Sequence, residues 1–279
     1  MTALDKMKEI AALLKRGGIE DPAREAEMLI TGILHISRTE LYAGDISVRE
    51  DVSRHITDIA VRRTMGEPIQ YLIGQVLFYG LTLYVGKGVL IPRPETELLV
   101  DETIQQIGLR ASPLTILDLC TGSGCIALAL ARHLTEAIVY GVDSSEAAMV
   151  YATQNALAND IRNVRFKLGD LFGPVGSLRF DCIVSNPPYV RHDEIETLQV
   201  EIREHEPVQA LDGGRDGLDF YRKIFRDAAP HLVGNGIIIL EMGFGQAAAI
   251  REIAMRSGFT GVNVIKDFAG IERIIAAER

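Results

Sequence analysis

Strand-like and helix-like stretches alternate from Thr115 onward, and this alternation limits the fold more than any other feature of the sequence. Apolar stretches at 115–120 and 137–143 are typical of buried strands, and Cys125–Ala131 between them is typical of a buried helix. Strands and helices in this order form parallel pairs with right-handed crossovers. Further strands are predicted at 164–170, 180–185, 236–241, 262–266 and 273–277. We therefore expect an α/β fold, a mostly parallel seven-stranded sheet with helices on both faces and an antiparallel edge.

The predicted strand at 180–185 ends in Asn186-Pro187-Pro188-Tyr189. Two consecutive prolines end the strand, so these residues lie at its carboxyl end, the edge where parallel sheets bind ligands. The Asn186 side-chain oxygen and the Pro187 carbonyl oxygen are adjacent acceptors that suit an –NH2 group, and Tyr189 could stack on the planar group carrying it. An amide or exocyclic amine held in this way is oriented for attack on an electrophile. The same tetrapeptide also fits a plain strand-to-loop turn, so both readings stay open on these residues alone.

A glycine-rich loop, Thr121-Gly122-Ser123-Gly124, follows the first strand of this region. Its glycines allow a ligand to approach the backbone at the amino end of the next helix. The next strand ends at Asp143, whose carboxylate suits the two hydroxyls of a ribose. This spacing indicates a nucleoside, and it fits NAD as well as S-adenosylmethionine.

Two further features favour S-adenosylmethionine over NAD. Acidic residues stand at or near the ends of the first three strands, at Asp118, Asp143 and Asp170, and the Asn-Pro-Pro-Tyr motif occupies the fourth, where a methyl acceptor would meet a donor. A dehydrogenase would need a proton-transfer group and a nicotinamide subsite, and we identify neither. The sequence therefore favours a methyltransferase.

The amino-terminal region has the apolar spacing of helices. Asp21-Pro22 has the form of a helix start, and Ser37–Glu40 and Ser47–Glu50 each have the form of a capping box. A compact helical unit beside a catalytic domain is a candidate for partner recognition. The expected division is a helical domain at 1–73, a β-hairpin linker at 74–90 and a methyltransferase domain at 91–279.

Composition and charge argue against several classes of protein. No apolar run approaches membrane-spanning length and charges interrupt the amino terminus, so we expect a cytoplasmic protein without membrane association. The net charge of −9 argues against broad contact with nucleic-acid backbones, and no direct nucleic-acid binding is expected. The three cysteines (Cys120, Cys125 and Cys182) and the six histidines lack metal-ligand spacing. We therefore expect reduced thiols and no metal site.

Several segments, in order, resemble the HemK/PrmC type of class I S-adenosylmethionine-dependent methyltransferases, the release-factor glutamine methyltransferases. The similarity extends across essentially the whole chain, including the helical region. The matching segments are Gly66–Tyr71, Ile91–Val100, Asp118–Gly124, Ser185–Tyr189, Ala210–Gly214 with Asp216–Tyr221, and Glu241–Gly243. The family more often has glycine where this chain has Cys120, which reduces the backbone freedom of the loop.

This resemblance implies a reaction and a set of site residues. The reaction is N5-methylation of the glutamine in the Gly-Gly-Gln motif of class 1 peptide chain release factors, in support of translation termination, with S-adenosyl-L-homocysteine as product. The implied cofactor-binding residues are Cys120, Thr121, Gly122, Ser123, Gly124, Asp143, Asp170, Leu171, Phe172 and Asn186. The implied substrate-binding residues are Asn186, Pro187, Pro188 and Tyr189, of which Asn186 and Tyr189 are expected to be catalytic. The domain at 1–73 is expected to recognise the release factor.

Three alternatives remain at this stage. One is a glutamine methyltransferase of a ribosomal protein, and another is a methyltransferase of exocyclic amines in nucleic acid, which shares the Asn/Asp-Pro-Pro-aromatic motif. The third is a catalytically silent adaptor that uses the fold to bind partners. The acidic segment 191–206 lies next to the acceptor motif and fits a solvated surface, a mobile lid or a contact with a basic partner.

Overall fold

The computed structural model of the chain describes residues 1–108, 110 and 113–279. These residues form two compact units. We call Met1–Gln75 with Gln199–His205 the helical unit, and Val76–Leu198 with Glu206–Arg279 the sheet unit. Among the described residues, no helix combines the length and apolar character needed to cross a membrane.

The helices and strands follow one another along the described chain with bounds close to those expected. The helices are α1 (Ala3–Arg16), α2 (Pro22–Leu34), α3 (Arg38–Ala43), α4 (Glu50–Thr64), α5 (Ile69–Ile73), α6 (Glu97–Ile107), α7 (Cys125–His133), α8 (Glu146–Ala158), α9 (Val200–His205), α10 (Asp219–Asp227) and α11 (Ala247–Arg256). The strands are β1 (Gln75–Phe78), β2 (Leu81–Tyr84), β3 (Thr115–Leu119), β4 (Ile138–Asp143), β5 (Val164–Leu168), β6 (Phe180–Ser185), β7 (Leu232–Glu241), β8 (Thr260–Lys266) and β9 (Glu272–Glu278).

Side-chain caps start the helices of the helical unit largely as the sequence predicts. The Asp21 carboxylate accepts a hydrogen bond from the Arg24 amide at the start of α2, and Ser37 and Glu40 form both bonds of a capping box at the start of α3. The second predicted capping box, at 47–50, is wrong. Helix α4 has Arg49 at its N-cap, without a side-chain cap, because Ser47 still lies in an extended segment that bridges to Thr2.

A buried ion-pair cluster in the helical unit joins distant parts of the sequence. The Arg63 guanidinium is only 5% exposed and binds Glu25 through two hydrogen bonds of 2.6 and 2.9 Å. A third bond, of 2.7 Å, runs to Glu201 of α9. Helix α9 therefore supplies an acid that Arg63 needs, since an Arg charge with too few partners is costly to bury.

The seven-stranded sheet has the order β5-β4-β3-β6-β7-β9-β8. The first four neighbouring pairs in this order are parallel, while β9 is antiparallel to both β7 and β8. The predicted mostly parallel sheet with an antiparallel edge is thus confirmed. The strand order reverses between β3 and β6, and in sheets of this kind ligands bind at the carboxyl ends of the strands beside such a point.

Alternate side chains of the central strands enter different cores, because successive residues of a strand point to opposite faces. Ile116 and Val184 pack into the core that contains α6 and α7, and Leu117 and Ile183 pack into the core that contains α10 and α11. Helices therefore cover both faces of the sheet, as expected.

Candidate active site

A cleft of about 870 Å³, including its open mouth, lies at the carboxyl ends of β3, β4 and β6. It is lined by the glycine-rich loop and by residues that follow three strands. Its lining from these parts comprises Cys120, Thr121, Gly122, Ser123, Asp143, Asp170, Leu171, Asn186 and Pro188. Segments at 88–96 and 207–210 contribute further residues. Most of the residues that the sequence singles out therefore meet in one place.

Backbone hydrogen bonds fix the glycine-rich loop. The Gly122 amide donates to the Asp143 carboxylate over 2.8 Å, and the Gly124 amide donates to the Thr121 carbonyl over 2.8 Å. Gly122 and Gly124 have φ values of 56° and 81°, in the left-handed region that favours glycine. A β-carbon at Gly124 would lie 3.0 Å from the Phe166 ring, so both conformation and space require glycine there.

The Asp143 carboxylate is held at the rim of the cleft by both of its oxygens. One oxygen accepts the Gly122 amide, and the other accepts the Ser145 amide over 2.9 Å. Burial raises the pKa of Asp143, and the backbone hydrogen bonds oppose that rise. Each oxygen keeps a further lone pair, so the carboxylate can also accept the two hydroxyls of a ribose.

Gly141 of β4 lies beneath the loop and leaves room for it. A β-carbon at this position would lie 2.6 Å from the Phe166 ring and 2.9 Å from the Thr121 hydroxyl. The conformation of the loop therefore also requires glycine at position 141, outside the glycine-rich motif.

Asp118 supports the loop from below and is not among the residues that line the cleft. It is fully buried, and one of its oxygens accepts hydrogen bonds from the Thr121 hydroxyl and the Ala127 amide. Burial raises its pKa to about 7.

Cys120 has a left-handed backbone conformation, which favours glycine. Its φ is 57°, and it lines the cleft with a half-buried side chain. All three cysteines are free, as expected, and burial raises the pKa of the Cys120 thiol well above its usual range. The thiol is therefore neutral and serves here as a small, uncharged side chain.

The segment 170–172 divides between two clefts. Asp170 and Leu171 line the cleft described above, whereas Phe172 does not. The Phe172 ring stacks on His231 at 4.7 Å in a neighbouring groove on the surface. Contact of Phe172 with a ligand in the main cleft stays a prediction.

The acceptor motif presents Asn186 and Pro188 to the cleft, while Pro187 and Tyr189 are not among its lining residues. The Asn186 amide nitrogen donates to the Thr96 hydroxyl over 3.2 Å, which leaves its oxygen available as an acceptor. Tyr189 is half-buried, and its carbonyl accepts from the Gln246 side chain over 3.0 Å. Burial raises the pKa of the Tyr189 hydroxyl to about 12, so it remains protonated.

Sequence reasoning missed three side chains that support the site. Thr96 and Glu241, both almost fully buried, lie beside Asn186 and Tyr189, and the fully buried Asn155 binds the Ser123 carbonyl over 3.0 Å. Thr96 and Glu241 fall within segments of the family resemblance, but their own spacing gives no sign of a role. Among the described residues, no group of three or more His, Cys, Asp or Glu side chains could hold a metal ion.

A further ion pair closes one side of the cleft within the sheet unit. Arg93, which lines the cleft, binds the buried Glu206 over 2.7 Å. Glu206 directly precedes the segment 207–210, which also lines the cleft. The ion pair therefore links segment 207–210 to segment 88–96.

Comparison with known proteins gives consistent similarities. Residues 5–74 match the PrmC N-terminal domain, and residues 95–214 match the methyltransferase small domain. A release factor glutamine methyltransferase of Thermodesulfovibrio yellowstonii is 45% identical over 100% of this chain and 99% of its own length. The protein of the same name from Geobacter sulfurreducens is 40% identical over 94% of this chain and 91% of its own.

Solved structures agree on the fold. A T. thermophilus 16S rRNA methyltransferase in complex with AdoMet and guanosine superposes with a TM-score of 0.53 and 21% identity, over 74% of this chain and 49% of that one. This likeness extends only to the methyltransferase fold.

Proposed function

The chain belongs to the release factor glutamine methyltransferase family, and on this premise we propose that it methylates N5 of the glutamine in the Gly-Gly-Gln motif of class 1 peptide chain release factors. The methyl donor is S-adenosylmethionine and the product is S-adenosyl-L-homocysteine. One observation supports the proposal above the others. An asparagine whose amide oxygen is free to accept, Asn186, lines the same cleft as a carboxylate suited to a ribose, Asp143.

The donor would be held mainly by the backbone of the glycine-rich loop and by Asp143. The Asp143 carboxylate would accept the ribose hydroxyls, and Asp170 with Leu171 would border the adenine. When bound, S-adenosylmethionine supplies an electrophilic methyl group on a sulfonium centre. The loop keeps its shape through bonds within the protein, so little ordering is left for the binding step.

The acceptor would be held by Asn186 and the Pro187 carbonyl. An amide nitrogen is a weak nucleophile because its lone pair is delocalised, and two acceptors on its protons orient it and favour its pyramidal form. Tyr189 would pack against the planar amide. No strong base is needed, because the nitrogen becomes acidic only after alkylation and its proton can then leave to water.

The helical unit would contribute recognition of the protein substrate. A glutamine side chain in a protein loop does not identify its carrier, so a second surface is needed to select one protein.

The test is incubation of the purified protein with methyl-labelled S-adenosylmethionine and, in parallel, an unmodified release factor, a ribosomal-protein fraction, DNA and RNA. Mass spectrometry then maps the label. Label on the glutamine of Gly-Gly-Gln is expected. Label only on another protein or on a nucleic acid would refute the proposed acceptor, and cofactor binding without any label would favour an adaptor.

A further inference from the structure

A buried carboxylate outside the cleft lining lies directly behind the acceptor motif. Glu241 ends β7 and is 3% exposed, and one of its oxygens has no hydrogen-bond partner. The last paired residues of β6 and β7 are Ser185 and Leu240, so Asn186 and Glu241 follow side by side. A buried carboxylate is costly to maintain, which suggests a role beyond packing.

The hydroxyl groups of Thr96 and Tyr189 both lie beside this carboxylate and lower its pKa. Thr96 is itself 2% exposed, and its oxygen also accepts the Asn186 amide nitrogen over 3.2 Å. A chain of buried polar groups therefore runs from Asn186 through Thr96 to Glu241, with a hydrogen bond between Asn186 and Thr96.

The direction of this chain follows from the number of protons available. A threonine hydroxyl has one proton, and an ionised carboxylate can only accept. The Glu241 carboxylate, which has an unpartnered oxygen, is the acceptor beside Thr96 for that proton, so the Thr96 oxygen accepts from Asn186, as in the 3.2 Å bond. The Asn186 –NH2 group must then face Thr96, and its carbonyl oxygen must face the cleft.

We propose that Thr96 and Glu241 are positioning residues that fix which end of the Asn186 amide faces the methyl acceptor, and thereby select an –NH2 group as that acceptor. This inference rests on the proposed function. Without the Thr96 hydroxyl, the Asn186 amide is free to turn over. Its –NH2 group would then face the –NH2 of the substrate, and two donors cannot bind each other.

The direction of the chain also depends on the charge of Glu241. A protonated Glu241 can donate to Thr96, whose own proton then favours the reversed amide. Burial raises the pKa of Glu241 to about 7, and the charge of Glu95 also raises it. The Thr96 hydroxyl, the charge of Arg273 on β9 and the Tyr189 hydroxyl lower it. Activity should accordingly fall as the pH is lowered through about 7.

The test is a double-mutant cycle on kcat for methylation of the release factor, with S-adenosylmethionine affinity and thermal melting measured for every variant. Thr96→Val keeps the shape and removes the hydroxyl, and we expect a loss of roughly tenfold, as for one neutral hydrogen bond. Thr96→Ser should restore most of that loss. In the Asn186→Ala background, Thr96→Val should have no further effect, because the group it orients is gone.

A second variant, Glu241→Gln, keeps the volume of the side chain but removes its charge. The Asn186 amide can then take either orientation. We expect a lower kcat and a loss of the acidic limb of its pH profile, with unchanged affinity for S-adenosylmethionine.

The outcomes separate this inference from the proposed function. Wild-type kcat in Thr96→Val, or an equal loss with and without Asn186, would overturn the positioning role while the proposed function stands. Label on a different amide or amino group would refute only the proposed acceptor, and the cycle would then be measured on that group. A wild-type protein that methylates nothing would overturn both.

Discussion

The two halves of the cleft are stabilised by different kinds of hydrogen bond. The cofactor half comprises residues 120–124 and Asp143. Its hydrogen bonds come mainly from backbone amides, which donate to the Asp143 carboxylate and to a backbone carbonyl within the loop. In the acceptor half, Asn186 is held by a side chain, Thr96, which is in turn beside a second side chain, Glu241. The cofactor half therefore depends on the path of the backbone, and the acceptor half depends on single polar atoms.

This difference predicts how substitutions act. Removal of a polar atom should matter most in the acceptor half and should affect turnover. In the cofactor half, binding should depend on one carboxylate, and most other effects should arise from added volume or from a changed backbone conformation.

The largest effect is expected from Asn186→Ala, which tests the acceptor half directly. Turnover should fall roughly 10²- to 10³-fold, as for the loss of one oriented hydrogen bond to a reacting group. The affinity for S-adenosylmethionine should fall far less. Single-turnover methylation and calorimetric titration measure the two quantities. Asn263→Ala, at an exposed position of β8, is the matched control, and unchanged turnover in Asn186→Ala would remove the proposed role.

Asp143→Asn tests whether the cofactor half acts through binding. The substitution keeps the shape, but an amide cannot accept the Gly122 and Ser145 amides and two hydroxyls as a carboxylate can. The dissociation constant of S-adenosylmethionine should rise about 10- to 100-fold. The kcat at saturating cofactor should stay close to that of the wild type. Asp160→Asn, at an exposed turn, controls for the loss of charge, and a change in kcat alone would contradict the comparison.

Gly141→Ala tests the dependence of the cofactor half on space. The new β-carbon would lie 2.6 Å from the Phe166 ring, so the free energy of unfolding should fall by about 1–3 kcal/mol. Gly234→Ala is the control, because it lies on β7 with nothing within 4 Å of the added carbon. Denaturant unfolding of both variants without cofactor measures the difference. Equal stability of the two would show that the loop does not need this space.

The smallest effect is expected from Cys120→Gly. A non-glycine residue in the left-handed region costs about 1–2 kcal/mol, and glycine loses about 0.5–1 kcal/mol through chain entropy. The net gain in stability should thus be below about 1 kcal/mol, with unchanged cofactor affinity. Cys125→Gly, within α7, should instead destabilise the protein. A loss of stability in Cys120→Gly would mean that its side chain contributes more by packing than its conformation costs.

The sequence predicted the sheet because its signals are local. Each strand is a short apolar run, and the order of strands and helices fixes parallel pairing, so β3 to β9 fall close to their expected positions. The glycine-rich loop and Asp143 also lie together as expected, because they follow neighbouring strands. Local signals failed at 47–50, where an extended bridge to Thr2 prevents the predicted cap.

The supporting residues of the acceptor half could not be predicted in this way. Thr96 and Asn186 are 90 positions apart, and only the completed sheet places Glu241 next to both. A threonine before a helix and a glutamate at the end of a strand are common and have many uses. Their role depends on burial and on the direction of hydrogen bonds, and a single sequence contains neither.

Helix α9 has a consequence for how the protein is made on the ribosome. Residues 1–75 are synthesised first, and at usual rates of elongation roughly ten seconds pass before residues 199–205 exist. During that interval Arg63 has Glu25 but lacks Glu201, and Gly66 lacks its neighbour Val200. The first part of the chain to be translated is therefore completed only when residue 205 has been made, after β3 to β6 already exist.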